Sequence, residues 1–290
     1  MTKIPQFFKS VFYNDPESRL RALWRLLIGT TLAFLVLGTL RTLARYILAF
    51  LLVLTAQIPF GALGNAQQLS QQLNTAYEHF PLLGGIHSLI ILLLVILAFI
   101  LLARWIDRRS WQDYGFHFSA AWWRDLGFGL LLGTVLMSVV FGIEYLLGWV
   151  SVQGMIENGQ PGFSFWQLLV DGIIVYVLVG VQEELFFRGF LIKNLAEGLH
   201  LPQISSKTVV LIPYLLISLF FGFAHANNAN ATLVSSLNLS LFGLLLGLGF
   251  ILTGDLAIPI GLHIAWNFAQ GYVFGFPVCG SDALLSLLAT

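Results

Sequence analysis

Three groups of residues in this chain have types and spacings that could do chemistry. The first is Val181-Gln-Glu-Glu-Leu-Phe-Phe-Arg-Gly189, which sets two adjacent carboxylates and a guanidinium in an otherwise apolar stretch. On a helix Glu184 and Arg188, four apart, pair along one face, while Glu183 points about 100° away from Glu184. One acid can be neutralised and the other left for proton transfer, or all three can form a folding ion pair at a helix end. The second group is Phe220-Phe-Gly-Phe-Ala-His225, followed by Asn227, Asn228 and Asn230. His225 is either a reactive base or a capped structural histidine. The third is His263-Ile-Ala-Trp-Asn267. His263 and Asn267 share a helix face, to address one point in a bundle or to hydrogen-bond between helices as membrane glue.

A glutamate, two histidines and an asparagine suit the activation of a water for hydrolysis. Glu183 would take the proton as general base, and a polarising His or Asn would steady the oxyanion of a tetrahedral carbonyl. Glu183, His225 and His263 also resemble the His₂Glu ligands of a catalytic zinc. The His-Glu-x-x-His signature of zinc peptidases is absent, so the residues leave open a zinc centre or a metal-free glutamate mechanism. No cofactor-binding fingerprint is present, because the glycine-rich stretch around Gly243 and Gly247 lacks a βαβ context.

These groups must be positioned by helices in a bilayer. Of 290 residues 58% are hydrophobic and 10% charged, against about 25% charged in soluble domains, and the mean hydropathy is +0.85. The composition excludes a soluble or disordered chain. Fourteen basic and fourteen acidic residues cancel, so no basic field for nucleic acid exists. Cys279 is the single cysteine, which excludes an intramolecular disulfide and a cysteine metal cluster.

Apolar runs fall at about 24–56, 86–103, 126–148, 167–187, 208–225, 235–252 and 257–275, and a span needs roughly 20 residues. Arg41 and Arg45 interrupt the first, which is one long helix or a hairpin of two short ones. The N-terminal arm, with Lys3, Lys9, Arg19 and Arg21, is basic, as is the connection holding Arg104, Arg108, Arg109 and Arg124. The connections 56–85 and 148–166 carry no Lys or Arg. Positive loops stay cytoplasmic, so the expectation is an all-α polytopic transmembrane bundle of about seven spans, with eight as the alternative and the N-terminus cytoplasmic. Tryptophans at run ends, among them Trp24, Trp105, Trp149 and Trp166, read as interfacial anchors. Gly243 and Gly247 predict a close helix approach. The stretch 65–74 reads as a loop or a surface helix. Three parts are expected: a cytoplasmic arm over 1–23, N-terminal helices and a loop over 24–104, and a core over 105–290.

A charge at the bilayer centre costs at least about 2.5–3.5 kcal/mol, so intramembrane ionisable groups are functional candidates. Counted from the turn between the fourth and fifth runs, Glu183 and His225 lie about 22 Å and 27 Å along their helices. They differ by one helical turn and can lie at similar depth. Asp171, Glu144, His79, His87, His117 and His200 are expected in structural roles, and Cys279 has no nearby base.

Glu-Glu-x-x-x-Arg (Glu183, Glu184, Arg188), Phe-x-x-x-His (Phe221, His225) and His-x-x-x-Asn (His263, Asn267), in that order on separate helices, resemble the CPBP family. That family includes CAAX prenyl endopeptidases of the Ras-converting type and bacterial bacteriocin-immunity (Abi) proteins. The resemblance covers about residues 105–275, because Arg109-Ser-Trp-Gln-Asp-Tyr-Gly115 also reads like bacterial members. It implies a multi-pass endopeptidase, in the inner or plasma membrane if bacterial. Glu183 and His225 would activate the water, and His263 and Asn267 would hold the oxyanion or the histidines would join a metal site. Glu184, Arg188 and Phe221 would support them. Family members are labelled metalloproteases, and a metal-free glutamate mechanism has also been proposed for them. The implied partners are the lipid bilayer and a peptide or protein substrate: a prenylated tail, a leader peptide or an anchored regulator. A non-proteolytic immunity or scaffold protein using the same cluster structurally is the alternative, and a transporter comes third.

Overall fold

The structure, a computed structural model, describes residues 11–14, 16–80, 82–158, 163–280 and 285–289. Lys3 and Lys9 of the expected arm lie outside the described residues. The helices in chain order are α1 (Ala22–Leu54), α2 (Ala66–His79), α3 (Leu83–Leu102), α4 (Ala120–Leu146), α5 (Phe165–Glu184), α6 (Lys193–Leu199), α7 (Ser206–Ala224), α8 (Leu233–Thr253) and α9 (Ala257–Phe268). Wider π turns extend α3 over Ala103–Asp107, α5 over Leu185–Ile192 and α9 over Ala269–Val273. Two short antiparallel pairs complete the described fold: β1 (Tyr13–Asn14) with β2 (Arg19–Leu20), and β3 (Gly154–Asn158) with β4 (Leu285–Ala289).

Among the described residues, six helices are long and apolar enough to cross a membrane: α1, α3 with its π turn, α4, α5 through α6, α7 and α8. The chain is an integral, multi-pass membrane protein with an all-helical body. The first run is one helix of 33 residues, so Arg41 and Arg45 sit within a helix and not in a hairpin turn. The seventh run behaves differently from the other six. Its α-helical part, α9, has 12 residues and continues directly into the π turn Ala269–Val273. Large apolar side chains such as Leu93, Leu131, Leu215, Leu241 and Leu252 face outward, as lipid-facing surfaces require.

The stretch 65–74 opens a surface helix. The Asn65 side chain accepts from the backbone N–H groups of Gln67 and Gln68, both at 3.0 Å, which starts α2 with an ordinary N-cap. Leu69, Leu73 and Ala76 recur at helical spacing and bury against Leu48, Leu52 and Leu83, while the glutamines face out.

The chain divides into two compact units. The first comprises residues 1–36, 96–128 and 182–260. Its core is aromatic: Phe99, Tyr114, Phe186 and Phe190 meet at ring-centroid distances of 6.3–6.4 Å. Beside that core lies a buried charge network. Asp107 accepts from the Tyr114 hydroxyl at 2.9 Å and the Asn194 amide at 2.8 Å. Arg109 grips Glu197 with two nitrogens at 2.8 and 2.7 Å. Arg25 reaches Glu197 at 3.0 Å and Asp107 at 3.9 Å, fastening the first turn of α1 to the segment after the π turn of α5. Burial, with the Asp107 carboxylate beside it, pushes the Tyr114 phenol well up, so it stays a proton donor.

The second unit comprises residues 37–95, 129–181 and 261–290. Gly133 lets α4 meet α9: a Cβ there would lie 3.0 Å from the Trp266 nitrogen and 3.1 Å from the Ala265 Cβ. Phe141 stacks on Phe274 at 4.4 Å, and Tyr176 meets Tyr272 edge-on at 5.7 Å. Asp171 accepts the Gly85 backbone N–H. His87 takes the Tyr77 hydroxyl on Nδ1 at 2.7 Å. Both fill the structural roles expected of them.

Candidate active site

Glu183 and Glu184 are the last residues of α5, and the helix widens immediately after them. A π segment adds a residue per turn and is often found where side chains must be re-aimed at a functional site. All eight residues of this one, Leu185–Ile192, are buried. Within it Arg188 donates to Glu184 Oε1 at 3.0 Å and to the Gly243 carbonyl of α8 at 3.0 Å. Its guanidinium also lies over the Phe221 ring, 4.5 Å from the centroid. A guanidinium has five donors, so a carboxylate, a carbonyl and a ring face together compensate a fully buried charge.

His225 follows the last residue of α7. Its backbone leaves the helical region (φ −94°, ψ 3°) and its N–H closes the helix on Gly222. The ring stands 4.9 Å from that of Phe221, and Nδ1 lies 2.7 Å from the Phe221 carbonyl oxygen. A carbonyl only accepts, so Nδ1 carries the hydrogen and in the neutral ring Nε2 presents its lone pair. Nε2 is 3.7 Å from Glu183 Oε2. Two proton acceptors face each other at a spacing too long for a direct hydrogen bond and close enough to address one water. The Glu183 side chain is 21% exposed and that of His225 12%, whereas Glu184 and Arg188 are sealed. The division of labour between the two carboxylates follows from that difference.

Close backbone contact holds α7, which ends at His225, against α8. A Cβ on Gly222 would lie 2.6 Å from the Ser240 nitrogen, with the Ser240 hydroxyl and Ser236 carbonyl nearer still. A Cβ on Gly243 would lie 2.9 Å from the Ser218 carbonyl. Small residues on both helices therefore set the α7–α8 distance, as the Gly-x-x-x-Gly spacing predicts. Tyr214 adds a hydrogen bond to the Leu244 carbonyl at 2.9 Å.

His263 and Asn267 belong to the second unit. They lie one turn apart on α9, and both are buried. A catalytic zinc takes three protein ligands; among the described residues no group of three or more His, Cys, Asp or Glu side chains is gathered to hold a metal.

Residues 165–269 match the family model of the type II CAAX prenyl endopeptidases, Rce1-like. The stretch from α5 to the end of α9 is thus similar to that family. No curated protein and no solved structure gives a match. The Rce1-like segment begins with α5 and ends just after α9. It contains Glu183, Glu184, Arg188, Phe221, His225, His263 and Asn267, and it supports the CPBP resemblance that those residues suggested. The coarse activity that accompanies it is that of a membrane protease.

Sequence reasoning missed two supports of the Rce1-like segment. Gly222 carries no motif signal beyond its place before His225. The Arg188 contact with the Gly243 carbonyl could have been anticipated, since one carboxylate cannot satisfy a buried guanidinium.

Proposed function

We propose that the chain is an intramembrane endopeptidase that hydrolyses a peptide bond of a membrane-associated substrate, a prenylated tail or a leader peptide, with water activated by Glu183 and His225. The observation that carries this reading is the approach of His225 Nε2 to Glu183 Oε2 with the other ring nitrogen committed to a backbone carbonyl.

A water seated between the two side chains donates a hydrogen bond to each. As its oxygen adds to the substrate carbonyl carbon, one proton passes to the Glu183 carboxylate. The carbonyl π pair moves onto oxygen, and the resulting oxyanion needs a donor. The His-x-x-x-Asn motif supports His263 and Asn267 for that role. Collapse of the tetrahedral species breaks the C–N bond, and the proton held by Glu183 goes to the departing amine. Glu184 takes no proton in this scheme, because it is sealed from the site and engaged by Arg188 at 3.0 Å.

The test is cleavage of a fluorogenic, membrane-anchored reporter peptide by the purified chain in nanodiscs. Glu183→Gln removes the base with little change in shape and abolishes cleavage while the thermal midpoint stays at the wild-type value. Full activity in a folded Glu183→Gln protein defeats the protease reading. Loss of folding together with activity favours the scaffold alternative. Zinc content of the same active sample, measured after chelation, decides between metal-assisted and metal-free activation.

A further inference from the structure

The far end of α3 holds a second, unrelated constellation. The helix leaves its apolar stretch through the π turn Ala103–Asp107 and stops at Arg108, whose backbone is left-handed (φ 49°, ψ 50°). An open cavity of about 480 Å³ lies there, lined by Arg104, Trp105, Arg108, Arg109 and Ser110. Arg109 is already committed to Glu197 and to Asp107, 3.3 Å from its Nε. Among the described residues no carboxylate ion-pairs with Arg104 or Arg108. Two guanidiniums thus face an open space beside Trp105, which is 66% exposed, while the Ser110 hydroxyl donates to the Gln112 side-chain carbonyl.

The same helix lines an apolar cavity deeper in the unit. Ile96 and Ile100 lie one turn apart on the α-helical part of α3, just ahead of the π turn that carries Arg104. With Phe99, Trp111, Phe118 and Leu185 the two isoleucines bound a cavity of about 110 Å³. Leu185 directly follows Glu184, so an occupant would rest against the segment that carries the carboxylates.

We propose that this end of α3 holds an anionic phospholipid, with its phosphate on Arg104 and Arg108 and part of an acyl chain in the cavity beside Ile96 and Ile100. The shared chemistry is that of a phosphate anion, and the apolar cavity one turn deeper selects a lipid over a free phosphate. Guanidinium pairs match phosphate oxygens in a bidentate fork. Trp105 is the residue type that settles at headgroup level. The basic connection is the part of the chain that loop charge assigns to the cytoplasmic leaflet, where anionic lipids are concentrated.

The test uses the full chain in phosphatidylcholine nanodiscs, titrated with phosphatidylglycerol that carries a fluorophore on one acyl chain. Saturable binding is expected, competed by unlabelled phosphatidylglycerol and not by phosphatidylcholine. Combining Arg104→Gln with Arg108→Gln weakens it roughly 30-fold, at about 1 kcal/mol for each guanidinium near a surface. Ile100→Trp fills the apolar cavity and weakens binding with all charges retained. Arg124→Gln is the control, since Arg124 is also exposed but pairs with Asp125 at 3.1 Å, and it leaves the affinity unchanged. Thermal midpoints of all variants are measured alongside. Displacement by equimolar inorganic phosphate would show a free-anion site and overturn the lipid assignment. An unchanged affinity in the double arginine variant, or an equal loss in Arg124→Gln, would overturn the site itself.

Discussion

His225 Nε2 faces Glu183 Oε2 across 3.7 Å while the opposite ring nitrogen is tied to the Phe221 carbonyl at 2.7 Å. The backbone of α7 thus sets the tautomer of a side chain that meets the end of α5. Two groups that act on one water behave as a unit, and their losses do not add. Glu183→Gln and His225→Ala each lower the cleavage rate by about 10²- to 10⁴-fold. The double variant is no slower than the worse single one. Single-turnover rates on a reporter peptide check this, and additive losses would mean that the two side chains act in separate steps.

Phe221 contributes to that arrangement through its carbonyl and its ring, and the two can be separated. Phe221→Leu keeps the carbonyl on which His225 Nδ1 rests but removes the face over which Arg188 lies at 4.5 Å. A desolvated cation–π contact is worth about 2 kcal/mol. The variant therefore loses thermal stability, and most of its rate per folded molecule survives. Active-site titration alongside a thermal scan measures both quantities.

The ion pair behind the site gives a sharper stability prediction. Glu184 and Arg188 are both fully buried and 3.0 Å apart. Removing one partner from a buried pair leaves an uncompensated charge, at about 3–5 kcal/mol. Arg188→Met is expected to lose that much, and adding Glu184→Leu to it recovers a large part. Unfolding of the single and double variants in detergent completes the cycle. No recovery in the double variant would show that the Gly243 carbonyl, not Glu184, is the main partner of Arg188.

Much of this site was legible in the sequence because it rests on local spacing. The four-residue step from Glu184 to Arg188 and from Phe221 to His225 defines helix neighbours, and helix rise alone brings Glu183 and His225 to similar depth. What could not be read depends on backbone groups and on residues distant in the chain. The Phe221 carbonyl and the Gly243 carbonyl carry no side-chain signal. Arg25, Asp107, Arg109 and Glu197 look like loop and flank charges that orient the chain, and only the fold gathers them into one buried network. The first run was ambiguous because Arg41 and Arg45 resemble a turn, yet a helix can carry both. The seventh run reads as a span by hydropathy, and its helix is α over Ala257–Phe268 before it widens to a π turn over Ala269–Val273.

Gly222 tests whether the α7–α8 distance matters to the site. A Cβ would press on the Ser240 nitrogen at 2.6 Å and on the Ser236 carbonyl, so α7 must move, three residues before His225. Overpacking of this kind costs about 1–3 kcal/mol. Gly222→Ala is expected to lower both the thermal midpoint and the cleavage rate. Gly142→Ala, where a Cβ meets nothing within 4 Å, is neutral or slightly stabilising by helix propensity. Equal behaviour of the two variants in a thermal scan would count against close packing as the positioning device.

His263 and Asn267 separate catalysis from helix adhesion most directly. Both are buried on one face of α9, where an oxyanion donor and an interhelical hydrogen bond predict different losses. A donor that acts only in the transition state lowers kcat by about 10²- to 10³-fold and leaves KM unchanged. Glue in a membrane contributes about 0.6 kcal/mol per hydrogen bond and has no such kinetic signature. The resemblance to the Rce1-like segment favours the first, so Asn267→Ala is expected to show a kcat loss with an almost unmoved thermal midpoint. His263→Gln, which keeps a donor in the side chain, recovers part of the rate that His263→Ala loses. A matching drop in midpoint with kcat per folded molecule intact would assign the pair to packing and leave Glu183 and His225 to act with some other oxyanion donor.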